Sequence, residues 1–188
     1  MQNQENGKVM RNQRDRQVRQ LTFSALFLGL CMVLPFLTGQ IPTIGAMLCP
    51  MHIPVMLCGF VCGPVWGMAV GAIAPILRSV LFGMPKLFPS AVCMTFELAA
   101  YGALTGIFFR VFPKKTWGLY AALILSMLLG RLVWGLAEIV VLGLSGSRFT
   151  MEAFLAGAFV NAVPGIILHI LIIPPIVMAM GKAGFHAN

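Results

Sequence analysis

The stretch that decides the fold class is WGLYAALILSMLLGRLVWGLAEIVVLG, residues 117–143. It holds only two charged side chains, Arg131 and Glu138, and its apolar residues run on without the alternation of an amphipathic strand. A helix that crosses a bilayer needs roughly 20 predominantly apolar residues, because it rises about 1.5 Å per residue through about 30 Å of hydrocarbon. The stretch therefore predicts a membrane-spanning helix.

The rest of the chain has the same character. Of its 188 residues, 59% are hydrophobic and 10% are charged, whereas a soluble domain averages about 45–50% apolar and about 25% charged residues. This composition excludes a soluble enzyme, a disordered chain and a receptor with a single span. A transmembrane barrel is disfavoured, because barrel strands alternate apolar and polar residues with a period of two. The sequence predicts an all-α membrane protein.

Six apolar segments follow one another, and we interpret each as a transmembrane helix. The second and third form one apolar run, which we divide at Gly63-Pro64 because a turn fits best there. A cleaved signal peptide is the alternative for the first segment, but no A-x-A-like cleavage site follows Leu37. The predicted spans are 21–38, 46–63, 64–82, 91–112, 117–143 and 151–180.

Three regions follow from these spans. Residues 1–20 are polar and basic and predict a disordered or frayed cytoplasmic tail. Residues 21–182 form the six-helix membrane-embedded domain. Residues 183–188 form a short C-terminal tail.

The positive charges predict the orientation of the helices. Cytoplasmic loops are enriched in Lys and Arg, and with the N-terminus inside, nine such residues fall on cytoplasmic segments and two on outer loops. Both termini are therefore expected in the cytoplasm. The formal net charge of +8 reflects this distribution and not a nucleic-acid surface. The nine are Lys8, Arg11, Arg14, Arg16, Arg19, Arg110, Lys114, Lys115 and Lys182, and the two are Lys86 and Arg148.

Ionisable residues inside the spans are the candidates for function, because each is costly in hydrocarbon unless it is paired. Counted from the predicted helix ends, most lie in the outer half of the membrane, and only His169 falls in the inner half. Arg131, Trp134 and Glu138 share one face of the fifth span at spacings i, i+3 and i+7. We therefore predict an outward-facing pocket for a small polar metabolite. Its predicted lining is Arg78, Glu97, Arg131, Trp134, Glu138 and Asn161.

A structural interpretation of these charges stays open. The two Arg and two Glu of this set are also suited to two ion pairs that fix the packing of the helices. A pocket lined by pairs that reorganise on binding would satisfy both interpretations. If the pocket lies elsewhere, the loop around 39–52, including His52, is the next candidate.

No residue set in the chain supports a reaction. The HExxH and GxSxG patterns are absent, and residues 143–147 fail the latter at its final glycine. No P-loop is present, so any ATP that drives transport must be handled by another chain. The five cysteines lie among apolar neighbours without CxxC spacing. We therefore expect no catalytic site, no metal and no other cofactor.

Two small residues on the first span indicate a contact with another membrane helix. Ala25 and Gly29 lie four residues apart, in the small-xxx-small pattern that lets helices approach closely. The pattern is frequent by chance in spans rich in Gly and Ala, so its weight depends on the features around it.

Together these features resemble the substrate-binding S components of energy-coupling-factor (ECF) vitamin transporters. The resemblance covers about residues 20–180, lies in pattern and spacing, and is closest to the group that includes pantothenate, pyridoxine and hydroxymethylpyrimidine carriers. The stretches that carry it are Pro50-Met51-His52-Ile53-Pro54, Cys62-Gly63-Pro64, Arg78 before Phe82-Gly83, Phe96-Glu97-Leu98 with Tyr101-Gly102, Gly130-Arg131, and Asn161-Ala162-Val163-Pro164-Gly165-Ile166-Ile167.

The resemblance implies a function and partners. A family member captures a vitamin or a related small polar metabolite from outside, and associates with a membrane coupling subunit and two cytosolic ATPases. Residues 21–182 would then be the substrate-binding domain of a multi-pass protein of the cell membrane, surrounded by lipid and without a nucleic-acid partner. The family's Ala-x-x-x-Ala contact corresponds to Ala25 and Gly29, where the second position is Gly. Family ligands are bound by the loop after the first span and by helices four to six.

Two other functions are compatible with a chain of this composition. A stand-alone channel or proton-coupled secondary transporter is the alternative, with Glu97, Glu138 and His169 as a proton relay. It would transport its substrate in liposomes without ATPases. An intramembrane enzyme is disfavoured by the missing catalytic motifs.

Overall fold

The computed structural model describes residues 2–38, 47–113, 115–144, 146, 150–157 and 162–183, which are almost entirely helical and contain no strand. Five helical segments among them are long and apolar enough to cross a membrane. The prediction of an all-α membrane protein is therefore confirmed. The helices are α1 (Gln2–Val33), α2 (His52–Cys62), α3 (Pro64–Phe82), α4 (Val92–Val111), α5 (Thr116–Leu144), α6 (Met151–Leu155) and α7 (Val163–Lys182), with a 3-10 turn at Leu34–Thr38 and a π-helical turn at Leu87–Ala91.

The long helices alternate in direction. Near the end of α1, the Cys31 thiol donates to the Met51 carbonyl over 3.7 Å, just before α2 begins. Near the end of α2, the Gln20 amide nitrogen donates to the Cys62 carbonyl over 3.2 Å. The starts of α2, α4 and α7 therefore lie at the same end of the bundle as the ends of α1, α3 and α5. We call it the distal end, because it is opposite the N-terminus.

Glycines bring three helices into backbone contact. A Cβ on Gly67 of α3 would collide with the Gly102 carbonyl of α4 and with Gly59 of α2. A Cβ on Gly102 would likewise collide with the backbone of Gly67. Lipid tails are as apolar as the side chains of membrane helices, so the hydrophobic effect does not draw such helices together. Close packing of this kind supplies the attraction instead. The contact places α4, which carries Glu97, in the interior of the bundle.

Helix α1 extends well beyond the predicted first span. It begins at Gln2 and continues to Val33, so residues 2–20 of the predicted disordered or frayed tail are helical in the structure. The tail contains five Gln and four Arg, which are good helix formers. Extending a helix that the apolar span already nucleates costs little, because nucleation is the unfavourable step. Side chains 10–19 are exposed.

Two predicted spans differ from the observed helices. The second is predicted at 46–63, but α2 has only 11 residues and is about 16 Å long. The sixth is predicted as one helix at 151–180, but the chain forms the short α6 and then α7. Pro54 and Pro164 lie in the first turns of α2 and α7, where the N–H that proline lacks would have no helical partner.

The predicted division between the second and third spans is confirmed. Gly63 separates α2 from α3 with φ 95° and ψ 174°, a conformation that glycine adopts without steric cost. Pro64 follows as the first residue of α3, a position that proline favours.

Candidate functional site

A buried ion pair joins α4 to α5 toward the distal end. Arg131 Nη1 lies 2.8 Å from Glu97 Oε1, and the two side chains are 11% and 2% exposed. Gly130 permits the approach, because a Cβ there would collide with the ring of Tyr101 on α4. Pairing is the expected way to keep ionised side chains inside a membrane protein. Two predicted site residues are thus brought together.

Helix α2 adds a histidine to this pair. His52 is the first residue of α2, and its Nε2 lies 3.4 Å from Glu97 Oε1. Its ring packs edge-on against Tyr101, with 5.2 Å between the centroids. Just before α2, Cys49 Sγ accepts a hydrogen bond from Arg131 Nη2 over 3.6 Å. His52, the fallback candidate of the sequence, therefore lies at the centre of the charged cluster.

A second histidine reaches the cluster from α7. The His169 ring lies nearly parallel to the His52 ring, at 18° with 5.9 Å between the centroids. Because α7 begins at Val163, His169 is about 9 Å from the distal end of its helix. The expectation that His169 lies in the opposite half of the membrane from the other polar residues is therefore wrong. It arose from starting the sixth span at residue 151.

Several buried polar atoms of this cluster lack a hydrogen bond of normal geometry among the described residues. They are both ring nitrogens of His52, both ring nitrogens of His169, and Glu97 Oε1. The Cys49 backbone lies close to His169, and Glu97 Oε1 keeps its charge contacts with Arg131 and His52. Native proteins pair nearly all buried polar groups, so this concentration of unpaired atoms singles out the cluster.

Two more predicted residues lie on α5 beyond Arg131, toward the distal end. Trp134 stacks on Phe154 of α6 at 22°, with 6.3 Å between the ring centroids. Glu138 is half-buried and lies beside Trp134 and Cys93. The structure therefore keeps Arg131, Trp134 and Glu138 on one face of α5, as their spacing predicts.

Arg78 contacts residues outside the Glu97–Arg131 cluster. Its guanidinium donates to the Met32 carbonyl over 2.6 Å and packs over the rings of Phe36 and Phe82, 5.1 and 5.2 Å from their centroids. It is 3% exposed and makes no ion pair with a carboxylate among the described residues. The sequence allows two ion pairs among its two Arg and two Glu. The described residues contain one Arg–Glu pair of this set, between Glu97 and Arg131. Asn161, the remaining predicted residue, lies outside the described residues.

The arrangement concentrates polar groups inside an apolar bundle. One Arg and one Glu form an ion pair, and two histidines and a tyrosine surround them. Four helices, α2, α4, α5 and α7, supply these groups. A few polar groups that converge within apolar helices can orient a small molecule by hydrogen bonds.

A comparison with known protein families agrees with this geometry. The family model for the ECF transporter, substrate-specific component, matches residues 19–177. The chain belongs to this family. No curated protein and no solved structure matches the chain. As an S component it is a substrate-specific membrane subunit of an ECF transporter, and the resemblance seen in the sequence is confirmed.

The cluster of the S component includes residues that the sequence did not place in the site. Tyr101 and Cys49 contact the ion pair, and His169 reaches it through His52. The sequence could have identified Tyr101 as a site residue, because it lies one helical turn after Glu97 on the same face of its helix. His169 was predicted at the wrong depth because its helix begins at Val163 and not at residue 151. Nothing in the sequence around Cys49 distinguished it from a cysteine that only packs among apolar side chains.

The S component also leaves one face of α1 uncovered. Ala25 and Gly29 are exposed, and a Cβ on Gly29 would meet no atom within 4 Å. Ser24, Phe27 and Cys31 of the same helix are buried, and Cys31 and Ser24 contact α2 and its start. The small residues therefore lie on a different face of α1 from the one that packs within the chain.

Proposed function

We propose that this S component is the high-affinity substrate-binding subunit of an ATP-driven ECF importer. Its substrate is a vitamin or a related small polar metabolite, of the kind represented by pantothenate, pyridoxine and hydroxymethylpyrimidine. One observation carries the proposal: a buried Glu97–Arg131 pair, joined by His52, lies where α2, α4 and α5 meet near the distal end. Polar groups held at such cost inside a membrane bundle favour a binding role.

The proposed pocket extends from this pair toward the distal end. Trp134 and Glu138 line it from α5, one and two turns beyond Arg131. Asn161, which lies outside the described residues, remains a proposed lining residue from the sequence alone. Arg78 contributes by holding the end of α1 through the Met32 carbonyl. A solute that enters from the distal end would then meet polar groups shielded from bulk water, where each hydrogen bond is stronger.

The orientation and the partners complete the proposal. Both termini are in the cytoplasm and the distal end faces outward, which agrees with the nine-to-two division of Lys and Arg between the two sides. In the cell membrane the chain associates with a membrane coupling subunit that carries two cytosolic ATPases. Ala25 and Gly29 form the close contact, because their exposed surface lets a second helix approach.

Replacing a small residue on the exposed face of α1 tests the partner contact. Ala25→Leu or Gly29→Leu should abolish uptake in cells while ligand affinity stays within about 2-fold, since the added bulk blocks helix approach and not the pocket. Gly143→Leu is the matched control, because Gly143 is also an exposed helical glycine with open space at its Cβ. An equal loss of affinity in the Ala25 and Gly29 variants would show that the motif packs within the chain.

Reconstitution separates the importer from the alternative function. Proteoliposomes with the chain alone should not accumulate radiolabelled pantothenate, pyridoxine or hydroxymethylpyrimidine. Addition of the coupling subunit, both ATPases and internal ATP should allow uptake of the molecule that the chain binds. Uptake by the chain alone, driven by a proton gradient or by substrate concentration, would instead support a channel or a proton-coupled carrier.

A further inference from the structure

Two histidines of the polar cluster are buried with incomplete hydrogen bonding among the described residues. His52 is 3% exposed and His169 is 2% exposed, and their rings lie next to each other from α2 and α7. Neither ring nitrogen of either residue makes a hydrogen bond of normal geometry within the described part of the chain. A buried polar group left unpaired costs about 1–3 kcal/mol, so two such rings side by side need a compensating function.

Other buried polar side chains of the bundle have hydrogen-bond partners of normal geometry. The Tyr101 hydroxyl donates to the Met127 carbonyl over 3.3 Å, and the Ser126 hydroxyl donates to the Ala122 carbonyl over 2.7 Å. Thr105 donates to the Tyr101 carbonyl over 2.8 Å. His52 instead has a 3.4 Å contact between Nε2 and Glu97 Oε1, and His169 lies beside the Cys49 backbone, so both rings keep hydrogen-bonding capacity for a ligand.

The charge around the histidines disfavours an anion. Arg131 of α5 faces Glu97 of α4 at 2.8 Å, and the other titratable groups around the pair among the described residues are Tyr101 and Cys93 of α4, Cys49 before α2 and Glu138 of α5. Arg131 is therefore already paired, and a second carboxylate lies nearby. A carboxylate ligand would have to share Arg131 with Glu97 and would bring a third carboxylate into the buried cluster, which is unfavourable.

We propose that His52 and His169 are ligand-binding residues of the S component, and that they select a molecule without net negative charge that both donates and accepts hydrogen bonds. A neutral imidazole has one N–H donor and one nitrogen acceptor, so each ring requires both kinds of group from its ligand. The proposal rests on the function proposed above, and it adds the two histidines and the charge class of the substrate.

Matched probes that differ mainly in a carboxylate test the charge class. The pairs are panthenol with pantothenate, nicotinamide with nicotinate, and pyridoxine with 4-pyridoxate. Calorimetry on the purified full chain should show that, in any pair that binds, the neutral member binds at least about 10-fold more tightly. Tighter binding of the anion would overturn the charge class. Binding of no member of any pair would count against the inference, because every neutral member supplies donors and acceptors.

Replacing each histidine separates a ligand contact from a structural role. His52→Phe and His169→Phe should each weaken the best neutral probe by about 10-fold or more, because its polar groups lose their partners. Free of ligand, His169→Phe should melt at the same or a higher temperature, because its imidazole makes no hydrogen bond of normal geometry among the described residues. His52→Phe also loses the 3.4 Å contact with Glu97 Oε1, so its affinity is the readout that matters. His52→Gln and His169→Gln, which keep a donor and an acceptor, should recover part of the affinity.

A matched control and a second readout distinguish a ligand contact from a general effect of removing a buried polar group. Ser126→Ala removes a buried polar group that bonds within its own helix, and it should leave affinity within about 2-fold. Unchanged affinity in both Phe variants would overturn the assignment of the histidines, as would lower stability with native affinity in the folded fraction. If uptake through the coupling subunit persists in those cases, the proposed function stands without this inference. If the wild-type chain supports no uptake with the complete transporter, the proposed function itself fails.

Discussion

The Glu97–Arg131 pair gives the sharpest quantitative prediction. Its two atoms lie 2.8 Å apart with almost no exposure, so removing either charge leaves the other buried and unpaired. Such single removals cost about 3–5 kcal/mol, whereas replacing both members of a buried pair is often close to neutral. Glu97→Gln and Arg131→Met should therefore each destabilise the chain by roughly that amount. The double variant should be more stable than either single variant.

The assay is a double-mutant cycle with two readouts. The free energy of unfolding is measured in mixed micelles by titration with a denaturing detergent. If the double variant is more stable than either single variant, the coupling energy between the two residues is at least about 3 kcal/mol. Affinity for the best-binding vitamin probe is measured by calorimetry on the same preparations. If the pair contacts the ligand, affinity should stay about 10- to 150-fold weaker in the double variant although its stability has recovered.

Two results would refute this reasoning. Additive stability losses would mean that the two charges are not coupled in the folded protein. Native affinity in the double variant would mean that the pair only fixes the packing of α4 against α5. The pocket would then have to be sought among other residues of the distal end.

Three further predictions concern packing, support and orientation. Gly102→Ala should lower the free energy of unfolding by about 1–3 kcal/mol, because the added Cβ collides with the backbone of Gly67. Gly143→Ala, whose Cβ has open space, should lower it by less than about 0.5 kcal/mol. Arg78→Met should lower stability by about 1–3 kcal/mol through its lost bond to a backbone carbonyl and its lost ring contacts, and should weaken the ligand less than Arg131→Met does. In a cysteine-free background, a cysteine at Asn12 should resist an impermeant thiol reagent in intact cells and one at Gly146 should react. The first prediction is contradicted if Gly102→Ala unfolds at the wild-type midpoint. The second is contradicted if Arg78→Met weakens the ligand without lowering stability. The third is contradicted if a cysteine at Asn12 is labelled from outside intact cells.

Hydropathy and composition were sufficient to predict the fold class. Runs of apolar residues report the environment directly, because each spanning helix must be apolar along its whole length. The division at Gly63-Pro64 was predictable for a local reason, since a positive φ and a helix-initiating proline are properties of those residue types. The cost of burying a lone charge predicted that Glu97 and Arg131 would each have a partner, but it did not predict which Arg pairs with which Glu.

Helix starts, and everything that depends on them, were not predictable in the same way. An apolar sequence does not reveal where a helix begins within it. Residue 163, not 151, starts α7, and this difference of 12 residues moves His169 by about 18 Å along the axis. Arg78 illustrates a second limit: a buried Arg can be satisfied by a carbonyl and two aromatic rings as well as by a carboxylate, and its sequence position does not distinguish these partners.

Native mass spectrometry of the purified chain tests the central claim most directly, that the Glu97–Arg131 cluster holds a small polar metabolite. Wild-type protein released gently from detergent should carry a bound small molecule, and accurate mass should identify it as a vitamin or a close relative. Ser126→Ala should carry it at the same occupancy, and Arg131→Met should have lost most of it. Wild-type protein without any bound metabolite after purification from vitamin-rich medium, or equal occupancy in Arg131→Met, would contradict the account.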